Sequence, residues 1–196
     1  MGGNKPLYYV DSSVFIAWIA GEPRSKDDID GMEYLFEQID SDAVNIITST
    51  ITRAEVLDFD MPESAKTNYT EATRRSNVVI FAATKPICQK AHDLICIYKK
   101  KNKSKKKDKR EKSKPRGCKL KMPDAIHLAT AILHSVTAFY VFDDDLESMS
   151  QQPGVDRLLI KKPKPKPQLD LGLRIKEQDI TEEPGQAEIV KQEPKK

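Results

Sequence analysis

The sequence contains no run of about 18 apolar residues, the length that a membrane-spanning helix needs, so we expect no association with a membrane. Its three cysteines, Cys88, Cys96 and Cys118, do not have the spacing of a metal site and leave one without a pairing partner. Residues 1–6 lack the features of a signal peptide. These absences predict reduced thiols and a cytoplasmic location.

Charge is distributed unevenly along the 196 residues. Residues 99–121 hold 14 lysines and arginines against two acidic residues, which gives this segment a charge of +12. Because the whole chain carries +3, the remainder carries −9. A segment of this kind is typical of polyanion binding, whereas the acidic remainder requires an explanation of its own.

Apolar runs alternate with segments of helical periodicity. The runs at residues 7–10, 44–48, 78–81 and 138–142 predict strands, and residues 158–160 predict a short fifth strand. Strands that alternate with helices indicate an α/β fold, here a three-layer α/β/α sandwich around a mainly parallel sheet of four or five strands. Such sheets bind ligands at the carboxyl ends of their strands.

The composition divides the chain in two. Residues 1–160 are predicted to form the folded domain, with the basic insertion at about 99–121 inside it. Proline alternates with lysine over residues 161–167, which favours extended chain. The mixed-charge segment that follows is nearly devoid of aromatic residues, so residues 161–196 are predicted to be a disordered tail.

Four acidic residues lie where a predicted strand ends or a helix begins: Asp11, Glu55, Asp124 and Asp143. If the fold gathers them, each pair repels by roughly 4 kcal/mol at about 4 Å and an effective dielectric of about 20. A hard divalent cation with carboxylate ligands would relieve this repulsion. Hydrolysis of phosphodiester bonds is a reaction that such a site supports.

Each acid also has a structural alternative. Asp11 and Asp143 could cap helices, and Asp124 lies in a first turn, where the helix dipole favours an acid. Glu55 fits a capping box with Thr52. Four independent caps, however, do not explain why strands at the same edge of a sheet end in acids, whereas one shared cation does.

The motifs around these acids resemble those of PIN-domain ribonucleases, and within that family the toxins of VapBC toxin–antitoxin pairs. They are Val10-Asp11-Ser12-Ser13-Val14-Phe15, Thr52-x-x-Glu55, Pro123-Asp124-Ala125-Ile126-His127-Leu128-Ala129-Thr130-Ala131 and Phe142-Asp143-x-x-Leu146. The resemblance implies a small α/β/α sandwich that cleaves RNA with Mg²⁺ or Mn²⁺. It also implies catalytic, metal-binding roles for the four acids, an antitoxin partner and a homodimer.

The fourth motif departs from the family pattern, because Val141 stands where a threonine is common. Three consecutive aspartates leave open whether Asp143 or Asp145 faces the ion. We favour Asp143, because Leu146, three residues later, then becomes the expected apolar anchor.

Two polar residues are auxiliary candidates. Ser13 could offer its hydroxyl to the metal site or to a carboxylate, although it could instead cap its own helix. His127 lies one helical turn after Asp124 and could contact the site or a substrate phosphate, although histidines on such faces are commonly packed and neutral.

The sequence leaves more than one function open. The preferred interpretation is a metal-dependent endoribonuclease that acts as the toxin of a type II toxin–antitoxin pair. One alternative is a PIN-like module that binds RNA or protein without catalysis. Another is an RNA-maturation nuclease outside any toxin system.

The basic insertion is the candidate RNA-binding arm, with Lys105, Lys106, Lys107, Lys109 and Arg110 at its centre. No aromatic residue lies between Tyr98 and Lys121, so base stacking is absent and binding would not depend on sequence.

Deletion of residues 104–116 should therefore weaken RNA binding and flatten its salt dependence, by about 0.7 in log–log slope for each phosphate that the arm neutralises. Titration of a labelled single-stranded RNA at several salt concentrations measures both effects. An unchanged slope would show that the arm does not contact phosphate.

Overall fold

The computed structural model describes residues 5–105, 120–150 and 152–167, without the side chains of residues 100–105. Most of the predicted insertion and most of the predicted tail therefore lie outside the described residues. Contacts group Met1–Lys166 into one unit and Pro167–Lys196 into another. The limits of the domain and tail given above remain predictions.

Helices and short strands alternate along the described chain. The strands are β1 (Leu7–Val10), β2 (Asn45–Ser49), β3 (Val78–Phe81), β4 (Ala138–Tyr140) and β5 (Ile160–Lys161). The helices are α1 (Ser12–Ala20), α2 (Lys26–Asp40), α3 (Thr50–Asp58), α4 (Glu63–Ala72), α5 (Lys85–Lys105), α6 (Met122–Leu133) and α7 (Asp144–Glu147).

The strands form one parallel sheet in the order β3-β2-β1-β4-β5. In the centre, Tyr9 of β1 pairs with Ile47 of β2 on one side and with Phe139 of β4 on the other. The chain enters at the central strand, builds outward to β3 and then crosses to β4, so the ends of β1 and β4 are neighbours. This arrangement fixes the positions of the residues that follow these two strands.

Side chains that alternate along the strands fill two separate cores. Tyr9 and Phe139 stack in the core beneath α5 and α6, with ring centroids 4.8 Å apart. Val10 and Tyr140, one residue later on each strand, enter the core beneath α1, α2 and α4. A strand with both faces buried needs this continuous apolar run. The predicted three-layer α/β/α sandwich is confirmed.

The end of the sheet differs in detail from the prediction. Strand β4 ends at Tyr140, although the apolar run continues to Phe142. Val141 and Phe142 remain buried, and the N–H of Val141 still donates to the carbonyl of Lys161 in β5 at 3.1 Å, so packing in the core explains why the apolar run continues. None of the described helices is both long enough and apolar enough to cross a membrane.

The chain after β5 lies against α2. Pro163 is buried, and its carbonyl oxygen would lie only 2.5 Å from a Cβ atom added to Gly31. Lys161 and Lys166 reach over the rings of Tyr140 and Tyr34, at 5.3 and 5.9 Å from the ring centroids. A glycine inside a helix normally destabilises it by about 1 kcal/mol relative to alanine. Here the glycine permits close approach of a second backbone.

Gly31→Ala should therefore lower the free energy of unfolding, by about 1–3 kcal/mol, because the added methyl group overlaps the backbone at Pro163. Urea unfolding measures the change, with the exposed Glu33→Ala in the same helix as the control. A more stable Gly31→Ala protein, as expected for an ordinary helix interior, would show that residues 161–166 do not constrain α2.

Candidate active site

Asp11 follows β1 directly and begins the site. Its N–H donates to the carbonyl of Tyr140 at 3.1 Å, which ties the end of β1 to the end of β4. Its Oδ2 atom accepts from the N–H of Ser13 at 3.0 Å and from the Ser13 hydroxyl at 2.8 Å. Asp11, rather than Ser12 or Ser13, is therefore the N-cap of α1. Although it is a carboxylate, its residue is only 4% exposed.

Ser13 links the two strand ends through its side chain. While Oγ donates to Asp11, it also accepts from the N–H of Phe142 at 3.0 Å. The backbone immediately before Asp143 is thus attached to Asp11 through one hydroxyl. This contact gives Ser13 a role in addition to its place in the first turn of α1.

His127 of α6 lies at the centre of the cluster and is 2% exposed. Its Nδ1 atom forms hydrogen bonds with the hydroxyls of Tyr9 at 2.7 Å and Ser49 at 3.2 Å. Its Nε2 atom lies 3.0 Å from Oε2 of Glu55 and 3.7 Å from Oδ1 of Asp11. One imidazole therefore joins β1, the end of β2, α3 and α6.

Glu55 is presented by α3, whose N-cap is Ser49. The Ser49 hydroxyl accepts from the N–H of Thr52 at 3.3 Å, and so the proposed Thr52–Glu55 capping box is wrong. Thr50 and Ile51 already belong to the helix. Glu55 lies in the second turn of the helix, where its carboxylate reaches His127 instead of the helix end.

Asp124 lies in the first turn of α6, one turn before His127. Its Oδ2 atom accepts from the N–H of Lys121 at 3.3 Å, so it supports the start of the helix as well as facing the cluster. Burial raises the pKa of the Asp124 carboxyl above its ordinary value, and the negative charge of Asp11 adds to this, while Lys121 and His127 oppose it.

Asp143 follows the buried Phe142 and is the N-cap of α7. Its Oδ1 atom accepts from the N–H groups of Asp145 at 2.8 Å and Leu146 at 3.2 Å. The capping alternative therefore describes its contacts in this structure. Leu146 is buried, as expected for an apolar anchor, while Asp143 and Asp145 are exposed. Which of these two aspartates binds an ion stays a prediction.

The structure thus gathers Asp11, Glu55 and Asp124 around His127 and leaves Asp143 at the end of the neighbouring strand. Burial disfavours the charged imidazole, but the hydrogen bond to Glu55 and the three surrounding carboxylates outweigh it, so the pKa of His127 is raised. Burial likewise opposes ionisation of Glu55, but its hydrogen bonds with His127 and Ser12 lower the pKa of Glu55. The imidazolium is the internal counter-charge of this cluster.

One buried carboxylate oxygen of the cluster fits a cation. Among the residues that the structure describes, Oδ1 of Asp11 is buried and has no hydrogen-bond partner. A carboxylate oxygen in this condition is a natural ligand for a hard divalent ion. Across the described ranges, no three His, Cys, Asp or Glu side chains already converge on one point as a metal site. Here the carboxylate of Glu55 is hydrogen-bonded to the imidazole.

Three residues whose hydroxyls contact Nδ1 of His127 are not among the predicted site residues: Tyr9, Ser49 and, at 3.5 Å, Thr52. Tyr9 and Ser49 hold the imidazole from the side opposite to Glu55. The position of Tyr9, two residues before Asp11, is a signal, because alternation along β1 places both side chains on one face. Ser49 gives no comparable signal, because its contact depends on how α6 packs over the sheet. Of the predicted arm, Lys106, Lys107, Lys109 and Arg110 lie outside the described residues, as does the side chain of Lys105.

Comparison with known proteins places this fold in a defined group. The family model for the PIN domain matches residues 8–151. The structure is similar to the crystal structure of VapC20 of Mycobacterium tuberculosis, a sarcin–ricin loop cleaving toxin. The TM-score is 0.50 and the sequence identity is 18%, and the match covers 72% of this chain and 93% of VapC20. It is also similar to a toxin–antitoxin complex from Klebsiella pneumoniae, with a TM-score of 0.51 and 20% identity over 83% of this chain and 100% of that one. No curated protein sequence matches.

The raised pKa of His127 predicts a pH dependence of stability. The folded chain binds this proton more tightly than the unfolded chain, so the stabilisation is complete below about pH 6.5 and is lost as the pH rises through the folded pKa. The free energy of unfolding, measured in urea between pH 6 and 9 with a chelator present, should therefore fall with pH.

His127→Gln should remove this part of the decline, whereas His92→Gln, at an exposed position on α5, should keep it. Parallel pH profiles for the parent and His127→Gln would contradict the assignment of the proton to His127. Glu55 affects stability in a separate, acidic pH range. Because its pKa is lowered in the folded chain, its contribution to the free energy of unfolding is lost only as the pH falls through the folded pKa of Glu55.

Proposed function

Since the chain belongs to the PIN-domain family, whose model matches residues 8–151, we propose that it is a metal-dependent endoribonuclease. The observation that carries the proposal is the buried Asp11, whose Oδ1 atom has no hydrogen-bond partner among the described residues and lies within the field of Glu55 and Asp124. A carboxylate is removed from water at considerable cost unless a positive group accompanies it. His127 lies 3.7 Å from this oxygen without a hydrogen bond to it, and a divalent ion bound at the atom would add a direct ligand contact.

Asp11, Glu55, Asp124 and Asp143 are the residues that would hold Mg²⁺ or Mn²⁺. When bound, the ion would lower the pKa of a coordinated water and stabilise charge on the leaving oxygen. Ser13 keeps Oδ2 of Asp11 occupied, so that Oδ1 would be the oxygen left to hold an ion. Asp145 is the alternative to Asp143 at the fourth position.

His127 orients the carboxylates in this mechanism. Its Nε2 atom lies between Glu55 and Asp11 while Nδ1 is hydrogen-bonded to the hydroxyl of Tyr9, and its raised pKa favours the protonated imidazole. A protonated imidazole favours the ionised form of Glu55. A bound ion would provide a second counter-charge for the carboxylates of Glu55 and Asp11.

We extend the proposal to the biological role of a toxin in a type II toxin–antitoxin pair that acts in the cytoplasm as a homodimer. The fold shared with VapC20 and with the Klebsiella pneumoniae complex supports this role. Expression should then arrest growth, and a small co-encoded antitoxin should relieve the arrest. Cleavage without growth arrest would favour the RNA-maturation nuclease instead.

One observation favours the non-catalytic binding module as a second candidate. The carboxylate of Asp143 is engaged in capping α7, and in the described part of the chain no metal-binding group is already assembled. RNA affinity that is equal with and without Mg²⁺, together with no cleavage of structured RNA, would support that candidate.

Asp11→Asn and Asp124→Asn should each reduce Mg²⁺-dependent RNA cleavage by about 100-fold or more, because loss of an outer-shell partner alone costs 10–100-fold at metal sites. Folding disfavours the charged form of Asp124, so Asp124→Asn should be at least as stable as the parent when a chelator is present. Cleavage of a labelled RNA and thermal unfolding measure the two effects.

Asp58→Asn is the matched control, since Asp58 is an exposed carboxylate on the same helix as Glu55. It should retain both activity and stability. A clear loss of stability in both Asp11→Asn and Asp124→Asn would instead indicate that these acids are structural caps.

A further inference from the structure

Arg24 lies in the connection between α1 and α2 and is held in a fixed orientation. Its Cζ atom is 4.0 Å from the centroid of the Phe142 ring. Its Nη2 atom donates to Oε2 of Glu22 at 2.7 Å. An aromatic face on one side and a carboxylate at one edge fix the plane of the guanidinium, as in sites that recognise planar anions.

Phe142 connects this arginine to the acidic site. Its N–H donates to Ser13, which in turn donates to Asp11, and its next neighbour in the chain is Asp143. The pKa of the Asp144 carboxyl is lowered, mainly by Lys162 and to a smaller extent by the positive charge of Arg24. Arg24 is therefore also close to Asp144. The guanidinium therefore borders the site on the side where β4 ends.

The surroundings of Arg24 leave part of it unsatisfied. Within the described residues, its Nε atom is buried and has no hydrogen-bond partner, while 23% of the side chain stays exposed. A buried donor without a partner costs free energy. Contacts within the described protein therefore account for only part of this placement, and the exposed part of the Arg24 side chain can be reached by a ligand.

A phosphate group is the ligand that this arrangement suits. The carboxylates of the site repel an approaching polyanion, so a substrate with a phosphate backbone needs a fixed positive group at the edge of the site. Guanidinium groups meet phosphate oxygens with paired, charge-assisted hydrogen bonds. Both cations near Asp144 already have a carboxylate partner, Glu22 for Arg24 at 2.7 Å and Asp144 for Lys162 at 2.8 Å. The guanidinium keeps further donors in its plane after that contact, whereas the ammonium of Lys162 is a single point charge.

We propose that Arg24 binds a backbone phosphate of the RNA, next to the bond that is cleaved and on the β4 side of the acidic site. This inference rests on the proposed ribonuclease function. Phe142 and Glu22 orient the guanidinium before the substrate arrives, and the phosphate fixes the position of the strand relative to Asp11 and Asp143.

The test measures binding without turnover, in the Asp124→Asn protein with a chelator present. A fluorescein-labelled single-stranded RNA is titrated by anisotropy at several salt concentrations. Arg24→Gln should weaken binding about tenfold, as expected for one hydrogen-bonded charged contact. It should also reduce the log–log salt slope by about 0.7, the amount expected for one phosphate.

Arg157→Gln is the control, since Arg157 is an exposed arginine between α7 and β5. It should keep the parental affinity and slope. Arg24→Lys should bind several-fold more weakly while the salt slope is retained, because lysine keeps the charge but lacks the planar pair of donors. It also serves as the test if Arg24→Gln does not fold, as judged by circular dichroism.

A folded Arg24→Gln protein with the parental affinity and slope would overturn the inference, as would unchanged affinity in Arg24→Lys. These results leave the proposed function intact if the parent still cleaves RNA and Asp11→Asn abolishes cleavage. A parent that neither binds nor cleaves RNA would instead refute the proposed function, and this inference with it.

Discussion

The site depends on one electrostatic constraint: the buried carboxylate of Asp11 after β1 and the partly buried carboxylates of α3 and α6 surround a single buried imidazole. Alone, each pair of such charges would repel strongly at short distance in a poorly solvated environment. The Nε2 atom of His127 lies between Glu55 and Asp11 and makes their proximity tolerable. Because Tyr9 and Ser49 hold the opposite nitrogen, the imidazole cannot turn away without breaking buried hydrogen bonds. The counter-charge is therefore fixed as firmly as the acids.

The parallel sheet explains how distant residues meet at this place. Strands β1 and β4 are neighbours, and the backbone contact between Asp11 and Tyr140 fixes their ends. Ser13 adds a side-chain link to Phe142 at the same edge. Two apolar cores on opposite faces keep the strands in register, because a slip of one residue would exchange Tyr9 with Val10 between the cores. Packing on both sides thus determines which polar groups reach the site.

A carboxylate and a guanidinium border the acidic site on different sides. Asp11 presents an oxygen suited to a cation, whereas Arg24 presents a guanidinium suited to a phosphate, and the Phe142–Ser13 contact lies between them. On the other side of Asp144, Lys162 joins the chain after β5 to the start of α7. The position of Gly31 permits that chain to lie along α2. The residues on either side of Asp143 are therefore contacted by Arg24, from early in the chain, and by Lys162, from after β5.

The sequence by itself determined the α/β architecture and the candidate acids. Periodicity and strand ends are local properties, so the apolar runs and the acids after β1 and β4 could be located without coordinates. The tertiary structure alone decided that Ser49 caps α3 and frees Glu55 to meet His127, and that Gly31 faces Pro163. It also decided that Asp143 caps α7 while three other acids surround one imidazole. These outcomes could not be predicted from the sequence because hydrogen bonds and burial between distant segments depend on packing, which no local pattern encodes.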